Sequence, residues 1–276
     1  MAGMRGVPGV EALWLRSNGI RLHLACAGPP DGKLVVLLHG FPEFWYGWRR
    51  QIGALAAAGL RVLAPDQRGY NLSDKPAGIA SYSIDRLADD VLGLAGALGH
   101  ERFAVVGHDW GAVLAWHLAA RNPERVERAA VLNGPHLPTL RPHLRDHPIQ
   151  AARSWYVGFF QIPVLPELVL RAAGFAALRG AMTATARPGT FAAAELAHYR
   201  AAWAQPGALT AMLNWYRALP RDAGAVRRIR VPVRVIWGDR DVALDRGLAE
   251  AGLAQCEREE VFHLPEATQL GAARGA

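Results

Sequence analysis

Two cysteines, Cys26 and Cys256, are all that the 276 residues contain. They are too few for a disulfide framework and sit in no metal-ligand spacing, so a reducing, cytoplasmic compartment and the absence of a bound metal are expected. Lysine is scarcer than the formal charge of +7 suggests. Lys33 and Lys75 stand alone, and arginine supplies almost all of the positive charge. Those arginines are scattered, and with no basic tract or arm to collect them, nucleic acid is not expected as a partner. No apolar stretch approaches the roughly 18 residues of a membrane span, and the N-terminus (MAGMRGVPGVEALWLRSNG) has no apolar signal-peptide core, so no membrane partner is expected either. There is no internal repeat.

What is present is an alternation of strand-like and helix-like segments. ALWLRSNG, IRLHLACAG, LVVLLHG, RVLAPD and FAVVGHD are short apolar or alternating runs bounded by Gly, Pro or Asp, the pattern of strands. Between them, Ile84 to Leu98 and Ala112 to Ala120 repeat apolar residues at three- and four-residue spacing, the pattern of helices packed on one face. Such alternation predicts an α/β fold with a mostly parallel sheet covered on both faces. From about residue 136 to 221 the chain becomes rich in Arg, Ala, Trp and Pro with no convincing strand, and it is read as a helical cap. The core is expected at 1–135 and 222–276, where VPVRVIWGD and REEVFHLP resume the strand pattern.

FAVVGHDWGAVLAWHLAA joins an apolar strand to a helix through a Gly-X-Asp-X-Gly turn at Gly107 to Gly111. This is the layout of a nucleophile elbow, with Asp109 at its apex. In the alternative, Asp109 only caps the helix. A carboxylate nucleophile is chemically informative. It can attack saturated carbon and leave an ester that water cleaves, whereas serine would leave a stable ether. The expected substrates are therefore alkylating.

HGFPEFWYGWRRQI at 39–52, APDQRGYNLSDKP at 64–76 and the GHDWG turn together resemble the α/β-hydrolase superfamily, and within it the soluble epoxide hydrolases, over about residues 12 to 268. The resemblance implies an oxyanion hole formed by the N–H groups of Phe41 and Trp110. It implies that Tyr156 (in SWYVGFFQIP) and Tyr216 (in LNWYRALP) hold and protonate the epoxide oxygen, although either ring could instead be a packed aromatic. It makes Asp241 the triad acid, with Asp239 a near neighbour. Trp155, Phe159, Phe160 and Trp215 suggest an apolar epoxide, with water as co-substrate and no cofactor. Haloalkane dehalogenases share the Asp-Trp turn and are the runner-up, but they have no need of paired phenols. A third reading is a ligand-binding homologue without turnover.

The family's histidine follows the last strand in a segment like PEATH, where this chain reads PEATQ. Gln269 holds that position and cannot take a proton near neutral pH. His263 lies six positions earlier, on the strand itself, and is expected to be packed or at the surface. One encoding of QLGAARGA, CAG CTG GGT GCA GCA CGA GGA GCC TGA, reads His-Trp-Val-Gln-His-Glu-Glu-Pro once its third base is deleted, which resembles the family's continuation. The expectation is a one-base frameshift, either real or a sequencing error, that truncates the chain, removes the base and the last helix, and exposes apolar surface near REEVFHLP. A gene sequence without that arrangement of bases overturns it.

Overall fold

A computed structural model describes residues 4–187, 189–221 and 227–270. The expected cap boundary at 221/222 falls against an undescribed stretch, and the tail from residue 271 lies outside the described residues. Among the described residues eight strands form one sheet in the order β1-β2-β4-β3-β5-β6-β7-β8. They are β1 (Glu11–Ser17), β2 (Ile20–Ala27), β3 (Leu34–Leu38), β4 (Arg61–Pro65), β5 (Phe103–His108), β6 (Val126–Leu132), β7 (Val233–Gly238) and β8 (Glu259–Leu264). The pairs β1–β2 and β2–β4 are antiparallel and every later pair is parallel. β3 is buried at every position, because a strand covered on both faces must be apolar throughout.

β6 was not legible as a strand. Its sequence VERAAVL carries Glu127, Arg128 and two alanines, residues of low strand propensity, and it is held by pairing to β5 and β7. Helices α1 (Arg49–Ala57), α2 (Ile84–Ala97) and α3 (Trp110–Arg121) connect the first strands. α3 starts at Trp110 rather than Ala112, directly behind the turn.

Among the described residues six α-helical segments lie between β6 and β7: α4 (Leu137–Asp146), α5 (Pro148–Arg153), α6 (Trp155–Phe159), α7 (Leu165–Ala184, broken by non-helical backbone from Ala172 to Phe175), α8 (Ala193–Trp203) and α9 (Ala208–Ala218). They are fixed to the sheet side by buried polar contacts. The Trp203 indole donates to the Pro42 carbonyl at 2.6 Å and the Trp215 indole to the Arg68 carbonyl at 3.0 Å. Arg49 pairs with Glu195, and Tyr199 donates to Glu43 at 3.0 Å. Gln150 donates to the Ala243 carbonyl and accepts from the Asp245 N–H. α10 (Gly247–Leu253) precedes β8, the sheet's edge strand, where Val261 and Phe262 are exposed. Among the described residues no helix is long and apolar enough to cross a membrane.

Candidate active site

β5 runs into α3 through a backbone reversal at Asp109, whose φ of 54° and ψ of −118° lie in a region that non-glycine residues seldom occupy. The sequence makes this possible with Gly107 and Gly111. A Cβ on Gly107 would strike the Gly111 backbone, and one on Gly111 would strike the Leu38 backbone. The strand, the turn and β3 therefore approach to a distance only glycine tolerates.

The reversal lifts the Asp109 carboxyl to the ends of the parallel strands, the usual place for a ligand crevice in open α/β sheets. Asp109 Oδ1 accepts the Phe41 N–H at 2.8 Å, and the Trp110 N–H also donates to the carboxylate. Burial raises the pKa of Asp109, while the nearby His108 and those two N–H donors oppose the rise.

A cavity of about 60 Å3 opens over this carboxylate. Asp109 and Trp110 form its floor, and Tyr156, Val157 and Tyr216 border it from the helices above. Leu137, Leu140 and Leu244 are among its apolar walls. The Tyr156 and Tyr216 rings lie 6.0 Å apart, nearly perpendicular, and Tyr216 also packs edge-on to Phe41 and Trp110 at 5.3 and 5.1 Å. Burial and the Asp109 carboxylate push both phenols above the usual tyrosine range, so both keep their protons at neutral pH.

None of the four aromatics that suggested an apolar substrate, Trp155, Phe159, Phe160 and Trp215, is among the residues that line the cavity. Trp155 is 69% exposed, on the outer side of α6. Phe159 packs against Trp155 and Phe160 and is absent from the cavity lining. Trp215 is fully buried between Tyr70 and Trp110, its indole spent on the Arg68 carbonyl. On a short helix only one side can face the cavity, and Tyr156 takes that side in α6 as Tyr216 does in α9.

Asp241 is buried in the loop after β7. Its Oδ1 accepts the N–H groups of Ala243 and Leu244 at 2.8 and 3.0 Å, and its Oδ2 accepts the Asn133 amide at 2.7 Å. Burial still pushes its pKa up to about 6. Asp239 is not equivalent. It is partly exposed and accepts from His263 Nδ1 at 2.8 Å, so His263 is occupied at the surface.

Gln269 is in the site. The Arg240 N–H donates to the Ala267 carbonyl at 3.0 Å, so the segment carrying Gln269 runs beside the Asp241 turn. The Gln269 amide donates to Asp109 Oδ2 at 3.0 Å, and its backbone carbonyl accepts from His108 Nε2 at 3.1 Å. His108 Nδ1 lies 3.5 Å from Glu43 Oε2. Burial alone would lower the His108 pKa, but the Glu43 contact and the Asp109 charge together raise it.

Neither His108, although it lies in the GHDWG turn, nor Asn133, in an LNGP context, carries a signal in the sequence that points to these contacts. Among the described residues no group of three or more His, Cys, Asp or Glu side chains could hold a metal.

Residues 33–267 match the alpha/beta hydrolase fold family. AB hydrolase superfamily protein YfhM of Bacillus subtilis (strain 168) is 47% identical over 262 residues, covering 94% of this chain and 92% of that protein. Epoxide hydrolase 3 of Mus musculus is 38% identical over 240 residues, 86% of this chain but only 65% of the mouse protein. The crystal structure of Bacillus megaterium epoxide hydrolase in complex with an inhibitor superposes with a TM-score of 0.87 at 31% identity, over 95% of both chains. The strained elbow, the covered parallel sheet and these likenesses agree: the chain belongs to the α/β-hydrolase family and is a hydrolase whose relatives include epoxide hydrolases.

Proposed function

We propose that the chain opens an apolar epoxide through an ester on Asp109 and hydrolyses that ester slowly. The observation that carries the reading is the division of labour between the two oxygens of one buried carboxylate. Oδ1 faces the Phe41 donor, so it becomes the carbonyl oxygen of the ester. Oδ2 then attacks. The new bond joins Oδ2 to an epoxide carbon, the ring C–O bond breaks, and its electron pair remains on oxygen as an alkoxide. Tyr156 and Tyr216, both protonated, border the space where that oxygen forms, and one of them protonates it.

Hydrolysis reverses the roles. Water adds to the Asp109 carbonyl carbon, the charge builds on Oδ1, and the N–H groups of Phe41 and Trp110 stabilise it until the diol leaves. Water must lose a proton in this step. Gln269, whose amide lies at Oδ2, only donates there and cannot accept it. Asp241 is prepared to orient and charge-stabilise a base, and glutamine gives it nothing to stabilise.

The Gln269 hydrogen bond also favours a second reading, a site that binds an apolar ligand without turnover. That bond occupies the attacking oxygen and lowers its reactivity. A single turnover in water enriched in heavy oxygen separates the two. The ester route puts the label first into the peptide containing Asp109. Label in the diol, with none in that peptide, overturns the ester, and no reaction at all favours binding alone.

A further inference from the structure

The described residues that expose large apolar side chains are not spread evenly. Seven of the twelve fall between Ile149 and Val169, namely Ile149, Trp155, Ile162, Val164, Leu165, Leu168 and Val169. Trp155 is 69% exposed, Val164 63% and Leu168 61%. From Trp155 onward they occupy one short helix, one turn and the start of α7, where the spacing of Leu165, Leu168 and Val169 puts these three on one side of the helix. Large apolar side chains exposed so close together mark a surface that meets something.

The turn holding this face outward is strained and clamped. Val164 has φ 66° and ψ −44°, and the Leu165 N–H donates to the Pro163 carbonyl at 2.7 Å, which closes a γ-turn of the rarer, strained hand. A β-branched residue at positive φ is unusual. The Arg217 guanidinium holds it there, donating to the Phe160 and Ile162 carbonyls at 2.9 and 3.0 Å and to both oxygens of Glu167. The result is an isopropyl group displayed at the apex of a rigid turn.

Charge identifies the occupant. Between His147 and Arg187 the sequence has four arginines, Arg153, Arg171, Arg179 and Arg187, and one acid, Glu167. Glu167 is already neutralised by Arg217, whereas Arg153, Arg171 and Arg179 are exposed. A second copy of the same face would bring arginine against arginine. An anionic bilayer surface satisfies both halves, since its headgroups take the arginines while the interface takes tryptophan, leucine and valine. We propose that this face of the cap, from Trp155 to Val169 with Arg153 and Arg171 at its rim, docks peripherally on anionic lipid. A bound surface of this kind needs no spanning helix. It would also lie one helix away from the cavity, because α6 turns Trp155 outward while Tyr156 and Val157 border the cavity.

The test is co-sedimentation of the full chain with phosphatidylglycerol/phosphatidylcholine vesicles and with pure phosphatidylcholine vesicles, at low and high salt. Binding to the anionic vesicles that weakens with salt is expected, with a roughly tenfold or greater loss for V164S/L168S and for R153E/R171E. Both double variants change exposed side chains outside the cavity, so unchanged thermal melting confirms that they fold. Failure of the parent protein to sediment overturns the proposal. So does equal binding to neutral vesicles, or a dimer in analytical ultracentrifugation that V164S/L168S abolishes.

Discussion

Replacing Gln269 with histidine should convert slow hydrolysis of the Asp109 ester into sustained turnover. The Gln269 amide nitrogen already lies 3.0 Å from Asp109 Oδ2, so an imidazole on the same backbone has its nitrogen within reach of a water attacking the ester. The acid that should orient it is in place on the adjoining turn, where two backbone N–H groups and Asn133 grip Asp241. A positioned general base contributes about 10²- to 10⁴-fold, or about 3 to 6 kcal/mol of barrier at about 1.4 kcal/mol per decade. The assay isolates ester from parent and Q269H after brief exposure to an aryl epoxide, then follows ester decay and diol release. Decay in Q269H should accelerate by that factor and rise with pH through the imidazole pKa, because the neutral ring is the base. Ester that forms normally in Q269H but decays at the parent rate would refute the reasoning.

Three further outcomes are expected. Tyr156→Phe and Tyr216→Phe should each slow formation of the ester by about 10²-fold or more, measured as the rate of mass gain, while leaving its decay unchanged, because the phenols supply a proton only as the ring opens. Asp241 should also make stability depend on pH. Its folded pKa of about 6 stands above its ordinary value of 3.8, so the folded state holds the proton more tightly. That contribution is present below pH 4 and lost as pH rises through 6, a change of about 3 kcal/mol. Urea unfolding of the parent and of Asp241→Asn from pH 4 to 7 should show their stability difference shifting by that amount, and a flat difference contradicts it. Loss of the Gln269 hydrogen bond in Gln269→Ala should speed formation of the ester without speeding its hydrolysis, as read by the same mass assay.

The parts legible in the sequence are those where chemistry or close packing leaves few choices. The turn at Asp109 could be read because Gly107 and Gly111 are forced by backbone contact. Tyr156 and Tyr216 could be picked out from their segments, and the structure sets both at the cavity. Trp155, Phe159 and Trp215 could not be sorted the same way. Which side of a short helix faces the cavity is decided by packing against other elements, and a tryptophan beside a site is as useful for holding the cap down as for touching a ligand. β6 was hidden because its pairing comes from its neighbours rather than from its own residues. Gln269 was legible as a missing base, but its grip on Asp109 became visible only once residues 160 positions apart met. The apolar face of the cap was missed because scattered arginines acquire a pattern only on a surface.

The most direct test of a nucleophilic Asp109 hindered by Gln269 is the intact mass of the protein, and of Asp109→Asn, after incubation with a simple aryl epoxide. A gain of one substrate mass that persists in the parent with little diol, maps to Asp109 and is absent from the variant is the expected result. No mass gain in the parent, or an equal gain in Asp109→Asn, would contradict it.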